Sequence, residues 1–184
     1  MVILLKEPLR VALSGKSGCG NTTVSTLLAE RLGVSLVNYT FRSLADETGL
    51  SLGEIIEKAR TDFSFDRTVD TRQVEIAMRG SCVMGSRLAI WMLAAADFRV
   101  YLYADGEVRA RRIQMREGGD RDTIRSFTST RDSEDTRRYA ELYRIDNTDH
   151  SRADMVVDTA RYLPPEIVEL IVAELVRRGL VCEN

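Results

Sequence analysis

The stretch VALSGKSGCGNTTVSTLLAERLG, Val11–Gly33, decides the architecture. It joins an apolar, β-branched run, LRVALS (Leu9–Ser14), to a helical pattern through a glycine-rich turn. Within it, Gly15–Thr22 reads GKSGCGNT. That matches G-x-x-x-x-G-K-[ST] at every fixed position except the lysine, where Asn21 stands. Glycines let such a loop curl, so that successive N–H groups and the following helix N-terminus form an anion nest. Gly15, Lys16, Ser17, Gly18, Cys19, Gly20, Asn21, Thr22 and Thr23 are therefore the candidate seat for the terminal phosphates of ATP. Thr22 offers its hydroxyl to Mg²⁺. The plainer alternative is a glycine-rich strand–helix turn with no ligand.

The missing lysine has a chemical consequence. In loops of this kind it bridges the β- and γ-phosphates and neutralises charge that develops in transfer. Asparagine donates a hydrogen bond without a positive charge. Losing one preorganised electrostatic donor costs about 3–4 kcal/mol, or ~10²–10³ in rate. Lys16 is one of only three lysines in the chain, with Lys6 and Lys58, and it lies inside the loop. Its stem either folds back toward the phosphates or points into solvent.

Outward from the loop, apolar runs alternate with helical patterns. SLVNY (Ser35–Tyr39), SCVMG (Ser81–Gly85), FRVYLYA (Phe98–Ala104) and DMVVDT (Asp154–Thr159) read as strands buried on both faces. Ser51 and Glu54 have capping-box spacing, Pro165 suits a first helical turn, and Gly179 suits a helix stop. Together these predict an α/β fold with three layers, a five-stranded parallel sheet flanked by helices. Ligands of such sheets sit beyond the carboxyl ends of the strands. The apolar stripe EIVELIVAELV reads as core.

Composition narrows the function classes. The 184 residues carry 26 basic and 28 acidic side chains, a net charge of −2, which argues against a nucleic-acid coat or a polybasic membrane anchor. Cys19, Cys82 and Cys182 lack metal-ligand spacing and suggest free thiols. MVILLKEP is too short an apolar run for a signal peptide or a membrane span, so a cytoplasmic protein is expected. His150, in IDNTDHSRAD, reads as a solvated loop residue.

The loop, together with FRSLADETGLSLGEIIEKA, FDRTVDTRQVEIA, SRLAIWM, VRARRIQMRE and RDSEDTRRYAELYRID in that order, resembles the short cytidylate kinases. These are P-loop nucleoside monophosphate kinases that move the γ-phosphoryl of ATP onto CMP. The resemblance runs from about Arg10 to Val176. It implies one domain over 1–184, acceptor-binding helices at about 40–80 and a helical lid at about 117–146. It implies that Arg42, Asp66, Arg67 and Arg87 contact the acceptor nucleotide, and that Arg109 and Arg112 lie at the base of the lid near ATP. Arg131, Asp135 and Arg138 stand at i, i+4 and i+7, which puts them on one helix face. They match a family R-x₃-D-x₂-R pattern in which the arginines reach phosphates, a catalytic role, and the aspartate meets the ribose.

Each reading has a plain rival. Arg109, Arg112 and Arg116 beside Glu107 and Glu117 also suit a solvated, salt-bridged face. Trp91 and Met92 read as core, and Tyr139 and Tyr143 as packing against the lid helix. The mixed charge of Arg109–Arg144 suits a lid that closes over phosphates, not a one-signed nucleic-acid stripe. Relatives carry an acidic residue two places before Arg87 that helps organise Mg²⁺; here Gly85 stands there. A rebuilt site would use Lys16 and carboxylates such as Asp46, Asp66 or Asp70. The expectation is a CMP/dCMP kinase using ATP and Mg²⁺. The alternatives are a nucleotide-binding sensor with little turnover, and a kinase for another small metabolite. Base preference and oligomeric state stay open.

Overall fold

The structure, a computed structural model, describes residues 3–183. Its central sheet has five parallel strands: β2 (Arg10–Gly15), β3 (Ser35–Val37), β4 (Cys82–Gly85), β5 (Phe98–Tyr103) and β6 (Met155–Asp158). Their spatial order is β3-β4-β2-β5-β6. The first of them, β2, therefore lies in the middle. The chain leaves it for one edge, returns through β4, and crosses to the other side at β5. The switch point falls at the carboxyl end of β2, where the glycine loop begins.

Alternation along β2 explains the layers. Val11 and Leu13 face one side and pack with Val24 and Leu28 of α1 (Asn21–Leu32), Phe98, Val100 and Leu102 of β5, and Ile167, Ile171 and Leu175 of α8 (Pro164–Arg177). Ala12 faces the other side, with Val37, Met84, Tyr101 and Ile90. Ala77, at the end of α4 (Ser64–Ala77), and the short α5 (Ala89–Met92) cover this second face. Trp91 packs against that cluster as expected. The EIVELIVAELV stripe supplies the core face of α8.

Two helices, α2 (Phe41–Thr48) and α3 (Leu52–Ala59), join α4 in a small cluster around Leu44, Ile55 and Val69. The expected capping box at Ser51 and Glu54 is present, with Ser51 N–H donating to Glu54 Oε2 at 2.8 Å. On the opposite flank, α6 (Gly106–Glu117) and α7 (Arg121–Tyr143) form an antiparallel hairpin.

The five expected strands are all present, the first shifted by one residue to Arg10–Gly15 and the other four shorter than expected. SLVNY stops at Val37, leaving Asn38 and Tyr39 free to line the cleft. One feature has no counterpart in the sequence reading. Ile3–Leu5 (β1) pairs antiparallel with Val181–Glu183 (β7) in a separate two-stranded sheet. Ile3–Leu5 of MVILLKEP form that strand. No described helix is long and apolar enough to cross a membrane. Cys19 and Cys82 are buried and Cys182 is exposed, all three as free thiols.

Candidate active site

A cleft of about 960 Å³ lies across the carboxyl edge of the sheet. Its floor is the loop from Gly15 to Thr23. Gly18 and Gly20 take φ of +84° and +88°, which side chains with a Cβ rarely adopt. The turn is closed by the Cys19 N–H donating to the Lys16 carbonyl at 3.1 Å. Gly20 caps α1 with backbone alone, so the free N–H groups of the first turn face the cleft without a competing side chain. Thr22 is exposed at that turn and lines the cleft.

The two departures from the usual loop are neighbours. The Asn21 Oδ1 is buried without a hydrogen-bond partner, 3.9 Å from where a Cβ at Gly85 would stand. That Cβ would also lie 2.5 Å from Ser25 Oγ and 2.7 Å from Ser25 Cβ. Ser25 of α1 thus occupies the space that a carboxylate side chain at 85 needs. The cation at 21 and the anion at 85 are missing together.

Lys16 lines the cleft, and its ammonium lies 3.9 Å from Asp132 Oδ2 with the side chain 28% exposed. A pair that long and that wet is weak. Asp132 belongs mainly to Arg109, at 2.6 Å.

The facing wall is built from α4, α7 and the turn after β4. Arg87, just past β4, donates to Asp135 at 2.6 Å. Arg138 donates to Asp66 at 3.0 Å, and the Tyr143 hydroxyl to Asp70 at 2.7 Å. Arg131, Asp135 and Arg138 all face the cleft, as their spacing predicts. Arg131 stands exposed at the cleft beside Arg87 and makes no ion pair among the described residues; desolvation by its surroundings, and then that like charge, lower its pKa. Asp135 is raised by burial, against the charge of Arg87. Burial pushes the Tyr139 hydroxyl, beside Arg87, up to about 12. Burial likewise pushes Asp70 up to about 6, the Tyr143 hydrogen bond opposing and Asp66 adding.

Other predicted residues lie away from the cleft or are held by neighbours. Arg42 is exposed in the first turn of α2 and is not among the residues lining this cleft. Arg67 is also exposed and lines a shallower groove with Tyr39 and Arg72. The reason is helical phase: Asp66, Val69, Asp70 and Gln73 form the cleft face of α4, and Arg67 lies off it. Arg109 is 6% exposed and sits behind the loop. Arg112 reaches the cleft, but its guanidinium is held by Thr159. Neither forms the solvated face weighed above, although Arg116 does pair with Glu117. Tyr139 and Tyr143 belong to the lid helix and pack away from it, onto Arg87 and α4. His150 is in a loop, yet its ring stacks on Tyr101 with centroids 3.8 Å apart. Asp46 is exposed outside the cleft, and Asp66 and Asp70 are engaged by Arg138 and Tyr143.

Sequence reasoning passed over Gln73 and Ser25. Gln73 is 3% exposed, with its Oε1 unpartnered at the cleft wall. Its signal was the α4 period, 66–69/70–73–77, which places a polar residue on a buried face. Ser25 gave no signal, because its role is to fill a space 60 residues along the chain.

Known proteins fit this geometry. The shikimate kinase of Bacteroides thetaiotaomicron superposes with a TM-score of 0.64 at 17% identity, over 94% of this chain and 99% of that one. A deoxyadenosine kinase from M. mycoides with bound dATP does so with a TM-score of 0.55 at 15% identity, over 91% and 98%. At such identities the likeness establishes the P-loop kinase fold alone. Sequence relatives go further. Cytidylate kinase 2 of Borreliella afzelii is 43% identical over 176 residues, 94% of this chain and 99% of that protein. Cytidylate kinase of Pyrococcus horikoshii is 36% identical over 172 residues, 92% and 90% of the two chains. The family model described as the cytidylate kinase-like family matches residues 10–161, so the chain belongs to the cytidylate kinase-like family.

Proposed function

We propose that this chain transfers the γ-phosphoryl group of ATP to CMP, giving ADP and CDP. One observation carries the reading. A backbone anion nest at Gly15–Thr23 and a bank of arginines, Arg87, Arg131 and Arg138, face each other across one cleft. A donor triphosphate and an acceptor monophosphate need such opposed seats. The cytidylate kinase relatives support CMP as the acceptor.

Catalysis is then positioning and charge neutralisation, with no covalent intermediate. The nest holds the donor phosphates. Arg87 and Arg138, oriented by Asp135 and Asp66, grip the acceptor side, where planar guanidinium forks match phosphate oxygens. Arg131, with no ion pair among the described residues, is the cation available to the group in transit. Lys16 joins it once phosphate outcompetes the long contact to Asp132. Mg²⁺ fits the Thr22 hydroxyl together with substrate oxygens and water; the described residues hold no cluster of three His, Cys, Asp or Glu that would bind a metal alone. Bound there, it would supply charge neutralisation for the transfer. The α6–α7 hairpin, roughly the proposed 117–146 lid with its preceding helix, excludes water over the cleft. Single-domain organisation and acceptor helices α2–α4 at about 40–80 complete the scheme.

A second reading, a nucleotide sensor with little turnover, is favoured by the joint loss of charge at Asn21 and Gly85. Incubating the purified protein with ATP, Mg²⁺ and a panel of CMP, dCMP and UMP decides between them. The expected result is CDP formation with cytidylate preferred. ATP binding without any diphosphate product would leave the sensor.

A further inference from the structure

The loop's missing ammonium is matched by an arrangement on its outer side. Arg109 and Arg112 of α6 both reach the back of the loop. Arg109 Nη1 donates to the Ser17 carbonyl at 3.1 Å, and Arg112 Nη1 to the Gly18 carbonyl at 3.3 Å. The helix is pressed close: a Cβ on Gly18 would meet the Arg109 carbonyl oxygen at 2.9 Å. Both guanidiniums are fixed in turn. Arg109 donates to the Ala104 carbonyl at 3.2 Å and to the two Asp132 oxygens at 3.3 and 2.6 Å. Arg112 donates to the Thr159 hydroxyl at 2.8 Å and its carbonyl at 2.6 Å.

A peptide unit is planar and trans, so its carbonyl and N–H point opposite ways. Holding the Ser17 carbonyl against Arg109 turns the Gly18 N–H away from α6. Holding the Gly18 carbonyl against Arg112 turns the Cys19 N–H toward the Lys16 carbonyl, where it is bonded. A cation on the carbonyl end of a peptide also polarises the N–H at the other end. Arg112 further places its own charge at the cleft edge.

We infer that Arg109 and Arg112 are the counterweight to Asn21. They brace the loop from behind and fix its peptide planes, and Arg112, with no carboxylate partner among the described residues, brings to the ATP phosphates part of the positive potential a lysine at 21 would supply. They are positioning residues, and Asp132 ties their brace to the lid helix α7. The inference rests on the proposed seating of ATP in the loop.

A double-mutant cycle tests it. ATP·Mg²⁺ and, separately, CMP are titrated calorimetrically into wild type, Arg112→Gln, Asn21→Lys and the combined variant. Arg112→Gln is expected to weaken ATP binding about tenfold or more, the size of a lost charge-assisted hydrogen bond, with CMP affinity within about twofold. In the Asn21→Lys background the same change should cost about threefold or less, because the cation is restored. Arg112→Lys, which keeps charge and loses the fork, should fall between. Unchanged ATP affinity in Arg112→Gln overturns the inference. So does equal weakening of ATP and CMP, or an identical loss in both backgrounds. If Arg112→Gln shows no cooperative melting, Thr159→Val, which removes one of the two acceptors of Arg112 Nη1 and loosens its hold on the loop, carries the same comparison. Wild type that fails to bind ATP at all would overturn the proposed function itself, a result distinct from an indifferent Arg112→Gln.

Discussion

Asp70 is a carboxylate that the fold holds away from its ordinary titration range. Burial lifts it to about 6, although the Tyr143 hydroxyl donates to it. The folded state therefore binds this proton more tightly than the unfolded chain, where an aspartate titrates near ~3.9. Its stabilising contribution is full below about pH 4 and is lost as pH rises through about 6. Asp70→Asn keeps the acceptor for Tyr143 and removes the charge. The variant should be more stable than wild type at pH 7.5 by about 2–3 kcal/mol, with the difference vanishing near pH 4. Thermal melts at the two pH values measure this, and a pH-independent difference would refute it. At this scale the sequence spoke unevenly. Arg131, Asp135 and Arg138 were legible because helical spacing alone puts them on one face. The placement of Arg42, Arg67 and Arg109 off the cleft was not, because which face meets a cleft depends on what the helix packs against.

Among elements, the contact between α1 and β4 is the tightest constraint. Ser25 Oγ stands 2.5 Å from where a Cβ at Gly85 would sit, so any side chain there pushes the two elements apart. Gly85→Ala should destabilise by about 1–3 kcal/mol, as overpacking does. Adding Ser25→Gly should recover most of it apart from helix propensity, about 1 kcal/mol. Chemical denaturation of wild type and the two variants checks this; no recovery in the double variant would show that the strain lies elsewhere. The hairpin of α6 and α7 behaves differently. Of the 23 residues in α7, only Thr128 and Tyr139 are buried. It is held by charged pairs such as Arg109–Asp132, Arg87–Asp135 and Arg138–Asp66. An element with little apolar burial and many ion pairs opens at low cost, which suits a lid. Its helical period and mixed charge were readable in sequence, whereas its partners were not.

For the whole molecule, the cleft lies between separately packed parts: the two-sided sheet core, the α2–α4 cluster and the α6–α7 hairpin. Nucleotides that bridge them stabilise the native state by mass action. ATP·Mg²⁺ and CMP together, each at a hundredfold its dissociation constant, should add about 2.7 kcal/mol per ligand. The melting temperature should rise further with both than with either alone, and the absence of any shift with ATP would count against the loop as a phosphate seat. The sequence by itself determined the strand–loop–helix at Val11–Gly33, five strands and a parallel three-layer sheet, although the edge strands β3 and β6 leave Leu36 and Val156 exposed rather than buried. Those follow from local patterns: continuous apolar runs, glycines at the turn, and helical periods. Only the tertiary structure decided that Asn21 and Gly85 are neighbours across Ser25, that Arg109 braces the loop from behind, and that β1 meets β7. Those contacts join residues far apart in the chain, and no local period records which distant side chain will fill a given space.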